Sequence, residues 1–358
     1  MKLPCITMLA TLLLTASAAA QLQITPPATT PSAPAEKPKP KPHTITKKKE
    51  AAPAPKPSAS PKPSPSPQPA ATVIPAPPND DPNVDLVFGA YQRGQYKTAF
   101  ELATGRAQAG DPKAMTMLGE LYSNAMGIRR DYAKAAEWYK RAADAGDREA
   151  MFALAMLRIS GRGGPVDKNE AVKLMASAAK LGEPKAAYNL ALLYLDGQTL
   201  PQDVRRSAEL LRQAADAGLP EAQYALATFY KEGTGVPKDP ERAVRLLQAA
   251  SLADNVDAEV EYAIAMFNGT GTPKNQPAAV ALLRKASRQG NAIAQNRLAW
   301  VLINGVGTPM DKVEGFKWHL VAKTGGKGDP ELDKQFSELP AEDRAKAEAA
   351  ARKWLGTK

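Results

Sequence analysis

From about residue 84 onward, apolar residues recur at intervals of three and four, the spacing that gathers them on one face of a helix. In "PKAMTMLGELYSN", which opens at residue 112, Ala114, Met117, Leu118 and Leu121 share such a face. A glycine-containing break follows, and an alanine-rich stretch then restores the helical spacing. This two-helix pattern is written again and again. "AADAG" stands at 142–146 and returns at 214–218, and steps of 36 residues link Gly110, Gly146, Gly182, Gly218, Gly290 and Gly326, with Asp254 filling the one remaining slot. Ala114, Ala150, Ala186, Ala222, Ala258 and Ala294 keep the same step, as do Ala142, Ala178, Ala214, Ala250, Ala286 and Ala322. No insertion interrupts the beat, which marks a tandem array.

The break between the helices has its own chemistry. "GRGGPVD" at 161, "GTGVPKD" at 233, "GTGTPKN" at 269 and "GVGTPMD" at 305 combine glycines that accept a left-handed backbone with a proline that forbids further helix. Asp131, Asp167, Asp203, Asp239, Asn275 and Asp311 then stand just ahead of the second helix, where a short acceptor caps free amides. Six aligned acids also suggest a metal site, but an array holds them a full repeat apart, too far to share an ion. The glycine loops suggest phosphate cradles, yet the proline contributes no amide. Alanines are small where neighbouring helices cross, and Leu118, Leu154, Leu190, Leu226 and Leu298 fill the space between. One hairpin cannot bury its apolar face alone, so the units must stack. The expected fold is all-α: a right-handed α-α superhelical solenoid of helix-turn-helix repeats, preceded by a disordered Pro-rich segment.

These residues resemble the Sel-one-like repeats (SLR), relatives of the tetratricopeptide repeat with a longer glycine-containing loop. Residues 219–254 carry the pattern most fully, with Ala222, Leu226, Ala227, Tyr230, Gly233, Gly235, Val236, Asp239, Ala243, Leu246 and Ala250. Six repeats span 111–326. Arg158 takes a tyrosine slot, "DGQTLPQD" lacks the second glycine and Asp254 replaces the terminal one, so local distortion is expected at those places. The ends are read as closures. Residues 84–110 form a helical half-repeat with Tyr96, Ala99, Phe100 and Ala103 on one face. Residues 327–358 form capping helices, the last with Ala347, Ala350, Ala351 and Trp354 on one face.

Composition changes the picture only before residue 84. Lys2, an apolar run through Leu9, Leu12, Leu13 and Leu14, and Ala18, Ala19 and Ala20 read as a signal peptide over 1–20, cleaved near Ala20; the alternative is a retained anchor. Export places the chain in the periplasm, with no stable membrane span after cleavage. The single cysteine, Cys5, lies within that segment, so the mature chain would have no disulfide and no thiolate metal site. Residues 21–83 are a Pro/Ala/Lys-rich spacer with little to bury, hence disordered and extended. Residues 21–79 carry eight lysines against Glu36 and Glu50, so most of the chain's net charge of +10 belongs to this stretch and not to the repeats. Nucleic acid is therefore not expected as a partner, whereas anionic cell wall could be met by the spacer. The same lysines could simply keep a linker soluble.

Catalytic chemistry finds little support. Ser177–Lys180 matches S-x-x-K and Lys323–Gly325 matches KTG, motifs of penicillin-recognising hydrolases, but no S-x-N partner appears and KTG belongs on a strand. His43 lies in the spacer, and His319 takes a slot held elsewhere by Tyr139, Leu211 and Leu247, as a packed residue would. No catalytic residue, cofactor or metal is expected. The resemblance to tetratricopeptide arrays implies that the first helices line a concave groove. Phe152, Met156, Tyr188, Leu192, Tyr224, Lys231, Phe267, Asn296 and Trp300 are the partner-binding candidates there. An aromatic and aliphatic groove with a polar rim suits an extended peptide or a partner helix. The expected function is non-enzymatic: a periplasmic scaffold or regulator that binds a protein or peptide partner in the cell envelope. The alternatives are a peptidoglycan-associated binding module and, third, a β-lactamase-like hydrolase.

Overall fold

The structure is a computed structural model that describes residues 82–356, with side chains from residue 86. The expected signal peptide and nearly all of the expected spacer lie outside the described residues. Among the described residues there are sixteen helices and no strand. The first two, α1 (Pro82–Gln92) and α2 (Tyr96–Gln108), form a short hairpin. The N-terminal end is thus two helices where a half-repeat was expected, and α1 starts two residues inside the expected spacer.

Six units follow, each an A helix and a B helix of 13 residues. They are α3 (Pro112–Asn124) with α4 (Tyr132–Asp144), α5 (Arg148–Ser160) with α6 (Lys168–Lys180), and α7 (Pro184–Asp196) with α8 (Val204–Asp216). The series continues with α9 (Pro220–Glu232) and α10 (Pro240–Leu252), α11 (Val256–Asn268) and α12 (Gln276–Arg288), and α13 (Ala292–Asn304) and α14 (Lys312–Thr324). Two further helices, α15 (Pro330–Ser337) and α16 (Ala341–Leu355), close the array.

The B helices begin where the acids were placed. Asp131, Asp167, Asp203, Asp239, Asn275 and Asp311 each accept a hydrogen bond, at 2.8–3.2 Å, from the amide three residues on. Each such cap is worth about 1 kcal/mol. The A helices have caps of their own, from Asp111, Asp147, Glu183, Asn255 and Asn291, while Leu219 supplies none. Asp147 does two jobs. It accepts from Ala150 N at 2.8 Å, and it also receives Thr116 Oγ1 at 3.2 Å and Lys113 Nζ at 2.8 Å from the preceding A helix.

Turn geometry depends on backbone freedom at two kinds of site. Asp254 adopts φ +59°, matching the glycines in the equivalent turns, so it keeps the turn that was expected to distort. In the second loop, a Cβ on Gly163 would lie 2.1 Å from the Tyr132 carbonyl oxygen, so only glycine lets this loop rest on the start of α4. The third loop, with Thr199 at the matching place, does take another path, and Gln202 Nε2 donates to Leu195 O at 2.9 Å. Arg158, in its tyrosine slot, pairs with Glu170 at 2.7 Å.

The core repeats with the sequence. Ala142, Ala178, Ala214, Ala250, Ala286 and Ala322 are all fully buried, and Leu118, Leu154, Leu226 and Leu298 are buried beside them. Through the six repeats each helix packs chiefly on the helices next to it in sequence, so stability there is built from nearest-neighbour interfaces. At the C-terminal end α16 packs on α14. Ala347 and Ala351 are buried, and Trp354 meets Trp318 at 5.0 Å between ring centroids. The Lys317 ammonium lies 4.2 Å and 5.2 Å from those two rings, and both Lys317 Nζ and Trp318 Nε1 donate to Glu314 Oε1 at 2.8 Å.

Candidate functional site

The A helices carry the positions that differ most between units. Five residues after the capping position stand Thr116, Phe152, Tyr188, Tyr224, Val260 and Asn296; four residues further on stand Glu120, Met156, Leu192, Thr228, Ile264 and Trp300. Val260 is buried, and the rest are half-buried, neither committed to the core nor free in solvent. A 13-residue helix is about 20 Å long. Positions four residues apart lie about 6 Å apart along it, so the two rows form a strip of about that width running across successive units.

Side chains link neighbouring A helices along this strip. Tyr91 Oη donates to Glu120 at 2.7 Å, Lys231 Nζ pairs with Glu261 at 3.1 Å, and Asn291 Nδ2 donates to Asp257 at 3.1 Å. Of the nine expected binding residues, Phe152 and Met156 line an open cleft of about 960 Å³ between the first and second repeats. Tyr188 and Tyr224 lie half-buried against the central core, and Leu192 is half-buried. Phe267 is buried, and Lys231 is engaged by Glu261. Asn296 and Trp300 belong to the closed end: Asn296 Nδ2 donates to Lys327 O at 3.2 Å and Trp300 Nε1 to Asp329 Oδ2 at 2.8 Å.

The electrostatics of the strip follow from partial burial beside acids. Burial pushes the Tyr224 phenol well above its ordinary range, and the charges of Glu261, Asp257 and Glu232 push it further. Tyr188 is raised by burial and by Glu221. Tyr139, at the floor of the cleft, is pushed up to about 12 by burial, with Glu120 adding to the shift. Its ring sits where a Cβ on Gly119 would come within 2.5 Å, so the bare glycine makes room for the aromatic floor.

Sequence reasoning missed the loop end of the cleft. Arg130, Tyr132 and Arg162 line it, with both guanidinium groups over the Tyr132 ring at 5.7 Å and 5.3 Å from its centroid. The signal was present in "AMGIRRD", where Arg129–Arg130 replaces the proline and following residue of the other loops.

The residues singled out for chemistry are placed apart. Ser177 is exposed on α6, and Lys323 pairs with Asp333 at 2.8 Å at the far end. His319 is fully buried and its Nε2 lies 2.9 Å from Asp333 Oδ1. It packs, as its slot suggested. Among the described residues no three His, Cys, Asp or Glu side chains gather to hold a metal, and no helix is long and apolar enough to cross a membrane.

The Sel1 repeat family model matches six consecutive stretches, 112–147, 148–183, 184–219, 220–255, 256–291 and 292–326. The chain belongs to the Sel1 repeat family. No curated protein matches it. A Sel1 repeat protein from Oxalobacter formigenes is 27% identical, with a TM-score of 0.61 over 68% of this chain and 99% of that one. A protective antigen present in uropathogenic Escherichia coli strains, which displays an SLR fold, is 23% identical with a TM-score of 0.51, covering 73% of this chain and 64% of its own. The second likeness speaks to fold alone. Sel1 repeat proteins are in general protein-interaction scaffolds.

Proposed function

We propose that this Sel1 repeat protein is a non-enzymatic scaffold of the bacterial cell envelope, exported to the periplasm, that captures an extended segment of a partner protein on its A-helix face. The observation that carries the reading is the half-buried row Phe152, Met156, Tyr188, Leu192 and Tyr224, which the second, third and fourth of six in-register units hold on one strip. Side chains of this kind, apolar but incompletely covered, gain further burial when a partner lies across them. Export rests on the sequence of residues 1–20 and on the lysine-rich segment that follows.

Crosslinking in intact cells with identification of the captured protein tests both parts. Tyr188→Ala and Tyr224→Ala should weaken capture of that partner while leaving the chain folded, and fractionation should place the chain in the periplasm. Loss of folding in these variants, or a cytoplasmic chain, would overturn the proposal. Cell wall is a second candidate because eight lysines lie between residues 21 and 81. A salt-sensitive pull-down on isolated cell wall, lost on deleting those residues, is its signature.

A further inference from the structure

The charges around the cleft between the first and second repeats are unequally committed. Its carboxylates are already engaged. Glu120 accepts from Tyr91 at 2.7 Å, Glu149 pairs with Lys113 at 3.4 Å, and Glu183 caps α7 and lies 3.8 Å from Arg148. Its cations are not. Arg130, Arg162 and Lys185 line the same cleft, and none has a carboxylate within salt-bridge distance among the described residues. Among the described residues the Arg162 side chain donates to the Tyr132 hydroxyl at 3.4 Å. At its loop end, where Arg130 and Arg162 stand, what the cleft offers a ligand is therefore positive charge.

With each guanidinium within 6 Å of the Tyr132 centroid, the two like charges lie at most about 11 Å apart, a repulsion that an anion near both would offset. A guanidinium fork matches the two oxygens of a carboxylate. The walls beyond this end are apolar: Phe152, Met156 and Ile159 are half-buried and line the cleft along α5. The lining runs from Glu149 near the start of α5 to Arg162 just past its end, a length of about 20 Å. That distance matches about six extended residues at ~3.3 Å each. An inorganic anion would leave the apolar wall empty, while a short peptide segment would cover it.

The two loop positions that hold these arginines also differ from their counterparts in the other units. Where Arg129–Arg130 stand, the other loops carry Pro165–Val166, Pro201–Gln202, Pro237–Lys238, Pro273–Lys274 and Pro309–Met310. Where Arg162 stands, the other units carry Met126, Gln198, Thr234, Thr270 and Val306. Arg212 and Arg242 also share a tyrosine, Tyr230, but Arg242 there pairs with Asp239 at 3.1 Å; at the junction of the first two repeats neither arginine has a carboxylate within salt-bridge distance among the described residues.

We infer that this cleft binds an extended peptide segment of the partner through a carboxylate held by Arg130 and Arg162, with apolar side chains lying over Phe152, Met156 and Ile159. The inference rests on the peptide-capturing reading of the A-helix face and names the chemistry of what is captured. The carboxylate comes from an acidic side chain or from a chain terminus, and the two sources are separable by experiment.

The test is calorimetric titration of the full chain with four hexapeptides that alternate alanine with leucine or phenylalanine. One ends in aspartate with a free terminus, one in asparagine with a free terminus, one in aspartate amide and one in asparagine amide. The peptide with both carboxylates should bind at least about ten-fold more tightly than the neutral amide, the size expected for charge-assisted hydrogen bonds. Whichever single-carboxylate form keeps that affinity identifies the source. The double variant Arg130→Gln, Arg162→Gln should bring the acidic peptides down to the level of the neutral one with an unchanged melting temperature. Arg245→Gln, on α10, should leave them unaffected.

Equal binding of the neutral amide, or full affinity in a folded double variant, would overturn the inference. Weakening of every form by Phe152→Ala would then show that the apolar groove survives without the anion site. Failure of all four peptides to bind would count against the groove at this junction as well as against the paired arginines.

Discussion

The same two A-helix positions hold Phe152 and Met156 in the second repeat and Asn296 and Trp300 in the sixth. Backbone, helix length and loop are shared, yet the first pair lines an open cleft while the second pair is hydrogen-bonded to Lys327 and Asp329 of the closing segment. The difference teaches that the repeat supplies a frame and that a few side chains decide whether a given stretch of it is sealed or left open. Apolar groups at the N-terminal end stay half-covered. At the C-terminal end their places are taken by groups that bond to the next piece of chain.

The comparison can be broken most forcefully from the sealed end. Phe316 is 1% exposed and packs on Phe336 at 5.4 Å, so Phe316→Ala should cost about 3–5 kcal/mol in urea unfolding. Phe152→Ala should cost well under half of that, because its ring is only half-buried. Equal losses would erase the distinction between the two ends. Next in size is Gly163→Ala, which forces a methyl group to 2.1 Å from the Tyr132 carbonyl at a residue with φ +74°. A loss of about 1–3 kcal/mol is expected, together with displacement of Arg162 from Tyr132, visible as weakened peptide binding. Trp300→Phe keeps an aromatic ring, though a smaller one, and removes the bond to Asp329. A loss of about 1–2 kcal/mol, with faster amide exchange in α15, would sharpen the view that this end is held shut.

The smallest effect contrasts two tyrosines six residues apart. Burial raises Tyr224, and nearby carboxylates raise it further. Burial would also raise Tyr230, but hydrogen bonds from Arg242 and Arg212 outweigh it and leave that phenol below its ordinary value. For Tyr224 the neutral form is favoured by folding, so its contribution is fully present below the usual phenol value of ~10 and is lost as pH rises through its higher folded value. For Tyr230 the sign is reversed: stabilisation appears above the ordinary value and is lost as pH falls through the lower folded one. Ultraviolet titration of Tyr224→Phe and Tyr230→Phe should therefore remove a late and an early phenol respectively. Identical curves would show that the two environments do not differ.

Much of this was legible because a tandem array writes each packing rule six times. The buried alanines, the leucines between them and the B-helix caps all keep the 36-residue step. Where the chain departs from that step, reasoning from letters was less sure. Asp254 looked like a broken turn, yet its short side chain tolerates the left-handed backbone and its carboxylate accepts from Lys285 at 3.1 Å. The A-helix caps vary among Asp, Glu and Asn and lapse at Leu219, so no aligned column betrayed them.

The binding strip was legible as a spacing, but its occupancy was not. Asn296 and Trp300 looked like groove residues because their partners arrive from 327–329, past the last full repeat. Arg130 and Arg162 were passed over because they sit in separate loops. Only folding brings both onto Tyr132.

Hydrogen exchange of the full chain, with and without saturating aspartate-ending hexapeptide, tests the central claim most directly. Protection confined to the A helices and loops between residues 112 and 196, with 292–324 unchanged, is the predicted result. Protection that is spread evenly over all six units, or that falls on the B helices or the C-terminal closure alone, would contradict it.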